Sequence, residues 1–188
     1  MTRQSGPYYD EEFLRQGSPA NTTFAETMSR VITVNSGVTI GATGVEHSTA
    51  VPLQFGDLVT NITFVTSGTA AATPTAGYVC LRDVNGALLA QSADFTTTAR
   101  AANTAYTVAL ATPQLITTPG LYYVGISFTA GTVPTLVGTT IGNTAVAGAV
   151  VTGARVLART HGSSVGGVAP ATSVTPAANA GVVYYALT

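Results

Sequence analysis

The chain has 188 residues and a net charge of −1, and only 8% of its residues are charged, against about 25% in an average domain. It contains no lysine, so a basic surface for nucleic acid is excluded. Mean hydropathy is +0.36, but no apolar run approaches the roughly 20 residues of a membrane-spanning helix. The N-terminus lacks the apolar stretch of a signal peptide, and we expect a chain that folds in a cytoplasm without membrane contact.

Residues 1–30 are polar, hold much of the charge and predict an extended N-terminal arm. Such a segment cannot build its own core, and one interpretation is a disordered tail. Disordered segments are normally poor in aromatic residues, however, and this one is not. We therefore favour an anchoring arm that a partner holds, with these contact residues: Tyr8, Tyr9, Phe13, Leu14, Arg15 and Phe24.

From residue 31 the chain consists of short runs of Val, Thr, Ile and Ala between Gly- and Pro-rich turns, which is typical of strands. No helix longer than two turns is predicted, and the strands do not alternate with helices. The predicted strands are Arg30–Val34, Val38–Ile40, Thr49–Phe55, Leu58–Thr66, Tyr78–Arg82, Ala87–Ser92, Tyr106–Ala111, Leu121–Phe128, Thr135–Val137, Val146–Thr152, Arg155–Ala158 and Val182–Leu187. The pattern predicts an all-β fold, an antiparallel β-sandwich or jelly roll over residues 31–188.

Local signals refine this prediction. Asn85-Gly86 predicts a type I′ hairpin turn, and Pro119-Gly120 predicts a turn that starts the next strand. Pro52 predicts an edge or entry strand, because proline cannot donate to a β-ladder. The single cysteine, Cys80, excludes an internal disulfide and is expected on a core strand.

Residues that could support catalysis are few. A Ser–His–acid site could be composed from Ser163, His161 or His47, and Asp57, but no Gly-x-Ser-x-Gly motif positions a serine. We expect both histidines in loops, exposed to solvent or in an interface. Asp57 and the hairpin residue Asp83 lie in predicted turns, where aspartate commonly bonds the local backbone. No metal ligand set and no cofactor motif is predicted.

Tyrosine pairs are better candidates for binding. Within a strand, the two rings of a Tyr-Tyr pair face opposite sides of the sheet, so one is expected in the core and the other outward or in an interface. The residues assigned to a possible ligand or interface surface are Tyr122, Tyr123, Tyr184 and Tyr185. A glycan-binding module is one alternative. Surfaces with so little charge are otherwise typical of subunits packed in symmetric assemblies.

Three segments, at residues 78–92, 118–126 and 132–136, resemble β-sandwich structural proteins of tailed bacteriophages, especially those that infect actinobacteria. The resemblance implies a non-enzymatic virion subunit, often a homotrimer, whose N-terminal segment binds the major capsid or tail protein of the particle. It leaves two roles open. One is an accessory capsid protein that decorates or cements the head; the other is a tail appendage or receptor-binding subunit with glycan-binding capacity.

Overall fold

The computed structural model describes residues 24–40, 43–95, 98–141, 154–163 and 165–188. The arm positions before Phe24 and the strand predicted at Val146–Thr152 lie outside these ranges. Within them the chain forms one 3₁₀ turn, Arg30–Ile32, and thirteen strands: β1 (Ala25–Glu26), β2 (Val34–Thr39), β3 (Glu46–Leu53), β4 (Leu58–Val65), β5 (Ala72–Arg82), β6 (Leu88–Gln91), β7 (Ala105–Leu115), β8 (Gly120–Thr132), β9 (Thr135–Thr140), β10 (Ala158–His161), β11 (Ala177–Ala178), β12 (Gly181–Val183) and β13 (Tyr185–Leu187).

The strands form three antiparallel sheets, so the predicted all-β antiparallel sandwich is confirmed. A six-stranded sheet has the order β11-β10-β3-β8-β5-β6, a four-stranded sheet the order β1-β13-β4-β7, and a three-stranded sheet the order β12-β9-β2. Apolar side chains from all three sheets meet in one core, to which Val79, Ile126, Phe64 and Leu136 contribute fully buried groups. Burial of this apolar surface is the main favourable contribution to folding.

The central strands of the six-stranded sheet are buried on both faces. In β8 every side chain from Tyr123 to Phe128 is buried. Val79 and Leu81 of β5 enter the core, whereas Tyr78 and Cys80 point to the opposite face and pack with Ala169. The prediction that Cys80 is a small core residue is thus confirmed, and a third layer of chain covers the outer face.

A β-bulge interrupts the regular alternation of side chains in β4. The amides of Thr60 and Asn61 both donate to the carbonyl of Thr188, at 2.6 and 2.7 Å. This extra residue shifts the register, so that Val59 enters the same core as Ile62 instead of facing the other side.

The C-terminal segment is two strands rather than the single predicted one. β12 pairs with β9 and β13 pairs with β4, so the chain changes sheet at Tyr184. β13 also pairs with β1, with Ala25 opposite Leu187. Ala25 and Glu26, which lie within the predicted arm of residues 1–30, therefore pair in this sheet.

Three further strand predictions are corrected. The strand predicted at Arg30–Val34 begins as a 3₁₀ turn, whose first amides Ser29 caps by accepting a hydrogen bond from Val31 N at 3.2 Å. The strand predicted at Arg155–Ala158 begins only at Ala158. β5 extends back to Ala72, through a stretch predicted as loop.

Pro52 lies in an interior strand, not at a sheet edge. β3 has β8 on one side and β10 on the other. The ladder with β10 ends at Thr49, however, and Pro52 pairs only with Leu121 of β8. The missing amide of proline therefore costs no ladder hydrogen bond, which is the physical condition for proline in a sheet.

The hairpin between β5 and β6 is present but is not a type I′ turn. Gly86 has φ of +94°, whereas Asn85 is not in the positive-φ region. Gly86 N donates to Asp83 O at 3.1 Å, and the Asp83 carboxylate accepts from the amides of Asn85 and Ala87 at 2.9 and 2.8 Å. These bonds favour a turn closed by a glycine bulge. The pairing of β5 with β6 shifts in register after Leu81, in agreement with such a bulge.

Gly86→Ala should therefore destabilise the fold by about 1–2 kcal/mol or more, because an L residue is strained at this φ and its Cβ would lie 2.6 Å from Ser173 Oγ. Gly120→Ala is the matched control, since a Cβ there meets nothing within 4 Å. Urea unfolding should show a change within about 0.5 kcal/mol for the control. Equal losses in the two variants would contradict this account of the turn.

Candidate functional site

A buried polar cluster lies on the outer face of the six-stranded sheet. Register places Glu46 of β3 opposite His161 of β10 and Ser127 of β8, and Ser127 in turn opposite Tyr78 of β5. Opposed residues in a sheet share a face, so neighbouring strands deliver these polar side chains to one place. Arg82 comes from the end of β5 on the same face. We call Glu46, Tyr78, Arg82 and His161 the Glu46 cluster.

The Glu46 carboxylate is hydrogen-bonded on both oxygens. Arg82 donates from Nε to Oε1 and from Nη2 to Oε2, each at 2.8 Å. His161 Nε2 donates to Oε1 at 2.7 Å, and Tyr78 Oη donates to Oε2 at 2.8 Å. Ser48 Oγ adds a fifth bond to Oε1 at 2.9 Å. Glu46 and Arg82 are completely buried, and such two-pronged pairing is the strongest arrangement for these groups.

Electrostatic interactions keep both Glu46 and Arg82 ionised. Burial alone would raise the pKa of Glu46, but hydrogen bonds from Arg82 and His161 outweigh burial and lower it well below its usual range. Burial alone would lower the pKa of Arg82, and Glu46 reverses this and raises it. Burial and the adjacent Glu46 raise the pKa of Tyr78, which therefore stays a neutral donor.

Gly125 makes room for the carboxylate. It lies on β8 between Ser48 and Cys80 in the ladder, and a Cβ at this position would collide with Glu46 Oε1. The sequence predicts either a bulge or a close approach at this glycine. The register is regular here, so the close approach is the physical reason.

The Glu46 cluster is hydrogen-bonded to the segment that covers it, residues 165–175. Arg82 Nη1 donates to the carbonyls of Gly86 and Pro170, at 3.1 and 2.9 Å. Ala169 N donates to Gln91 Oε1 at 2.8 Å, and Leu88 N donates to Ala171 O at 2.8 Å. The Glu46 cluster is thus enclosed between the sheet and this covering segment. Its hydrogen bonds hold the segment against the sheet, and the cluster presents no reactive group to solvent.

Both histidines lie in strands and are buried, which corrects their predicted loop positions. His47 is in β3, where Nε2 donates to Asn179 Oδ1 at 3.2 Å. Burial lowers the pKa of His47 to about 4. His161 is held by Glu46, and among the described residues Ser163 makes no hydrogen bond to either histidine. The Ser–His–acid arrangement is therefore not assembled.

The turn aspartates behave as predicted. Asp57 accepts from the amide of Gln54 at 2.7 Å, and Asp83 caps the hairpin turn described above. Glu46 is the exception among the carboxylates of the β region. Residues around it in the sequence, Gly44-Val45-Glu46-His47-Ser48, show no strand alternation that would signal a buried ion pair.

The tyrosine pairs split as predicted, with one ring of each pair in the interior. Tyr123 and Tyr185 are buried, and their hydroxyls donate to the carbonyls of Val156 and His47. Tyr122 and Tyr184 are half-buried. Tyr184 donates to Glu26 at 2.8 Å, and burial together with this carboxylate raises the pKa of Tyr184 to about 12.

Two of the open cavities among the described residues bear on the predicted arm and tyrosines. The apolar groove, of about 450 Å³, is lined by Thr27, Met28, Ser29, Ile32, Thr49, Ala50, Thr139, Ile141, Leu157 and Val182. A cavity of about 350 Å³ at one end of the sandwich includes Tyr122, Gln114 and Leu115 in its lining. Of the residues assigned to the arm, only Phe24 is described; it is half-buried beneath the guanidinium of Arg30, 5.7 Å from its ring centroid.

Two features are absent from the part of the chain that the structure describes. No group of three or more His, Cys, Asp or Glu side chains there could hold a metal ion. No helix in that part of the chain is both long and apolar enough to span a bilayer.

Comparison of the sequence with protein-family models finds no match. Comparison with curated proteins likewise finds no relative.

Removal of Arg82 should be strongly destabilising. Arg82→Met leaves the Glu46 carboxylate buried without its main partner, and breaking such a pair costs about 3–5 kcal/mol. Arg30→Met is the matched control, because the Arg30–Glu26 pair includes an arginine side chain that is 55% exposed and should cost less than about 1 kcal/mol. Urea unfolding of both variants tests this; similar losses would show that the buried pair does not stabilise the fold.

Stability should also depend on pH through His47. The unfolded imidazole titrates near 6.5, so between pH 6.5 and 4 the unfolded state binds a proton that the folded state does not. Stability should therefore fall by roughly 3 kcal/mol as pH drops through this window. His47→Gln should flatten the dependence in urea unfolding at several pH values, and an unchanged slope in this variant would contradict the assignment.

Proposed function

We propose that this chain is a non-enzymatic structural subunit of a bacteriophage virion, an accessory capsid protein that decorates or cements the shell and attaches through its N-terminal arm. The resemblance of residues 78–92, 118–126 and 132–136 to phage β-sandwich proteins motivates the proposal. The chain is made in the host cytoplasm and acts on the virion, with the major capsid protein as partner.

The observation that carries the proposal is the apolar groove at the point where the arm meets the sandwich. The lining residues Met28 and Ile32 lie at the junction of the arm and the sandwich, and none of the described lining side chains is charged. Among the lining side chains, Ile32 is 53% exposed and Leu157 is 49% exposed. Apolar surface of this kind marks interaction sites, so the arm and the groove would form one continuous anchoring surface.

The low charge of the chain supports association with other copies. A soluble monomer normally carries charge on about a quarter of its surface or more, and most acidic groups of the described residues are bound internally, such as Glu46 and Glu26. We propose a homotrimer, as the resemblance implies. Covering part of the Thr- and Ala-rich surface would remove the need for solubilising charge.

The alternative, a tail appendage or receptor-binding subunit with glycan-binding capacity, has less support from the geometry. Two of its four candidate tyrosines, Tyr123 and Tyr185, are buried and already hydrogen-bonded. Tyr122 lines one open cavity and Tyr123 another, but the Tyr123 hydroxyl is already engaged by the carbonyl of Val156.

Deletion of residues 2–23 should abolish binding to purified phage shells while leaving the thermal midpoint nearly unchanged, because the sheet begins with Ala25 of β1. Sedimentation with shells measures binding, and circular dichroism measures stability. Retained binding by the folded truncated protein would refute the anchoring arm, and failure of the full-length protein to bind shells would refute the capsid role.

A companion pair of variants tests the groove in the same assay. Ile32→Glu should weaken shell binding about 10-fold or more, since Ile32 lines the groove and a charge there would have to be buried against apolar surface. Val168→Glu is the matched control, because this valine is 71% exposed and does not line the groove.

A further inference from the structure

A second guanidinium belongs to the same buried outer face but has no carboxylate partner. Arg159 lies on β10 two residues before His161 and is only 6% exposed. Its Nε and Nη2 atoms are enclosed and have no hydrogen-bond partner among the described residues. In Arg82 the same two nitrogens hold the Glu46 carboxylate. Arg159 thus has the recognition chemistry of Arg82 without a bound anion.

Packing holds Arg159 in place. Its Cζ lies 3.7 Å from the ring centroid of Tyr123, whose hydroxyl is engaged by the carbonyl of Val156. The carboxylates whose charges act on Arg159, Glu46 and Asp83, are already hydrogen-bonded to other groups. Arginine stays charged in proteins, and a buried charge without a counter-ion is costly. A buried cation left unpaired by the described residues of its own chain points to a ligand.

The cavity beside Arg159 has a suitable shape and lining. Its volume is about 230 Å³, and it is lined by Val84, Tyr123, Ala154, Arg155, Val156, Arg159, Pro176, Ala177 and Ala178. Arg155 is exposed, so it supplies a second positive charge that solvent can reach. Apart from the two arginines and the engaged Tyr123 hydroxyl, the lining side chains are apolar.

We propose that Arg159 and Arg155 bind a carboxylate on a short aliphatic stem, as presented by a glutamate or aspartate side chain of a partner protein. Guanidinium groups bind carboxylates with paired hydrogen bonds, and the Val, Ala and Pro side chains would contact the methylene groups. A sugar acid would also need partners for its hydroxyls, which this lining does not supply. Buried arginines are frequent anchors of protein interfaces. The inference does not depend on the proposed virion role.

The test is a titration of the full chain with the peptide acetyl-Gly-Glu-Gly-amide, followed through the arginine Nε–Hε signals by NMR. We expect saturable shifts of the Arg155 and Arg159 signals, and none with the matched peptide acetyl-Gly-Gln-Gly-amide. Arg155→Gln should weaken binding about 5-fold or more, whereas Arg30→Gln should leave it unchanged. Absence of a saturable shift up to about 50 mM, or equal shifts with the glutamine peptide, would overturn the proposal.

Inorganic phosphate and glucuronate distinguish the ligand classes in the same titration. Each should bind more weakly than the glutamate peptide. If either binds about 10-fold more tightly, the site takes a phosphate or an acidic sugar and the proposed ligand class is wrong.

A stability measurement separates a binding role from a purely structural one. Arg159→Met should keep the contact with Tyr123 and remove an unpaired buried charge, so its thermal midpoint should fall by no more than about 2 °C, while the glutamate peptide no longer binds. Arg82→Met, whose partner carboxylate lies within the chain, is the contrasting variant and should show a much larger fall. An equally large fall for Arg159→Met would show that its guanidinium serves the fold and would overturn the proposal.

Discussion

The structure depends on one carboxylate. Glu46 is withdrawn completely from water, which is costly for a charge, and five hydrogen bonds compensate this cost. Its partners are Ser48 on the same strand, Tyr78 and Arg82 on β5 and His161 on β10, so the ionic cluster can form only when β3, β5 and β10 are in register. Through Arg82 the same network reaches the covering segment at Pro170. A sheet with two buried faces is thereby fixed on its outer side by polar bonds and on its inner side by apolar packing.

The fold was largely predictable because its signals are local. Alternating runs and Gly or Pro turns predicted most strands of the two large sheets, and the outward and inward rings of the tyrosine pairs followed from the period of a strand. Errors arose where a distant partner overrides local preference. The carbonyl of Thr188 accepts hydrogen bonds from two adjacent amides of β4 and creates the bulge that reverses the position of Val59. No residue near Val59 in the sequence predicts this bulge.

The Glu46 cluster could not be predicted for the same reason. Glu46 and Arg82 are far apart in sequence, and His161 is farther still. Glutamate is rarely fully buried unless it is paired, so the sequence around Glu46 predicts a loop rather than a buried strand. Gly125 was the one usable signal, since a glycine in the middle of a strand indicates close approach of another group. It indicates that another group approaches the strand at this position but does not identify that group.

The division of the C-terminal segment into β12 and β13 has a consequence for folding order. β13 lies between β1 and β4 in its sheet, so β1 has no sheet partner until β13 has been synthesised. Closing such distant contacts is slow, because loop entropy is lost before the pairing is gained. While the chain is being made, β1 therefore lacks its hydrogen-bonded neighbour. β1 is the first strand of this sheet to be synthesised, but it pairs only after the last one has been made.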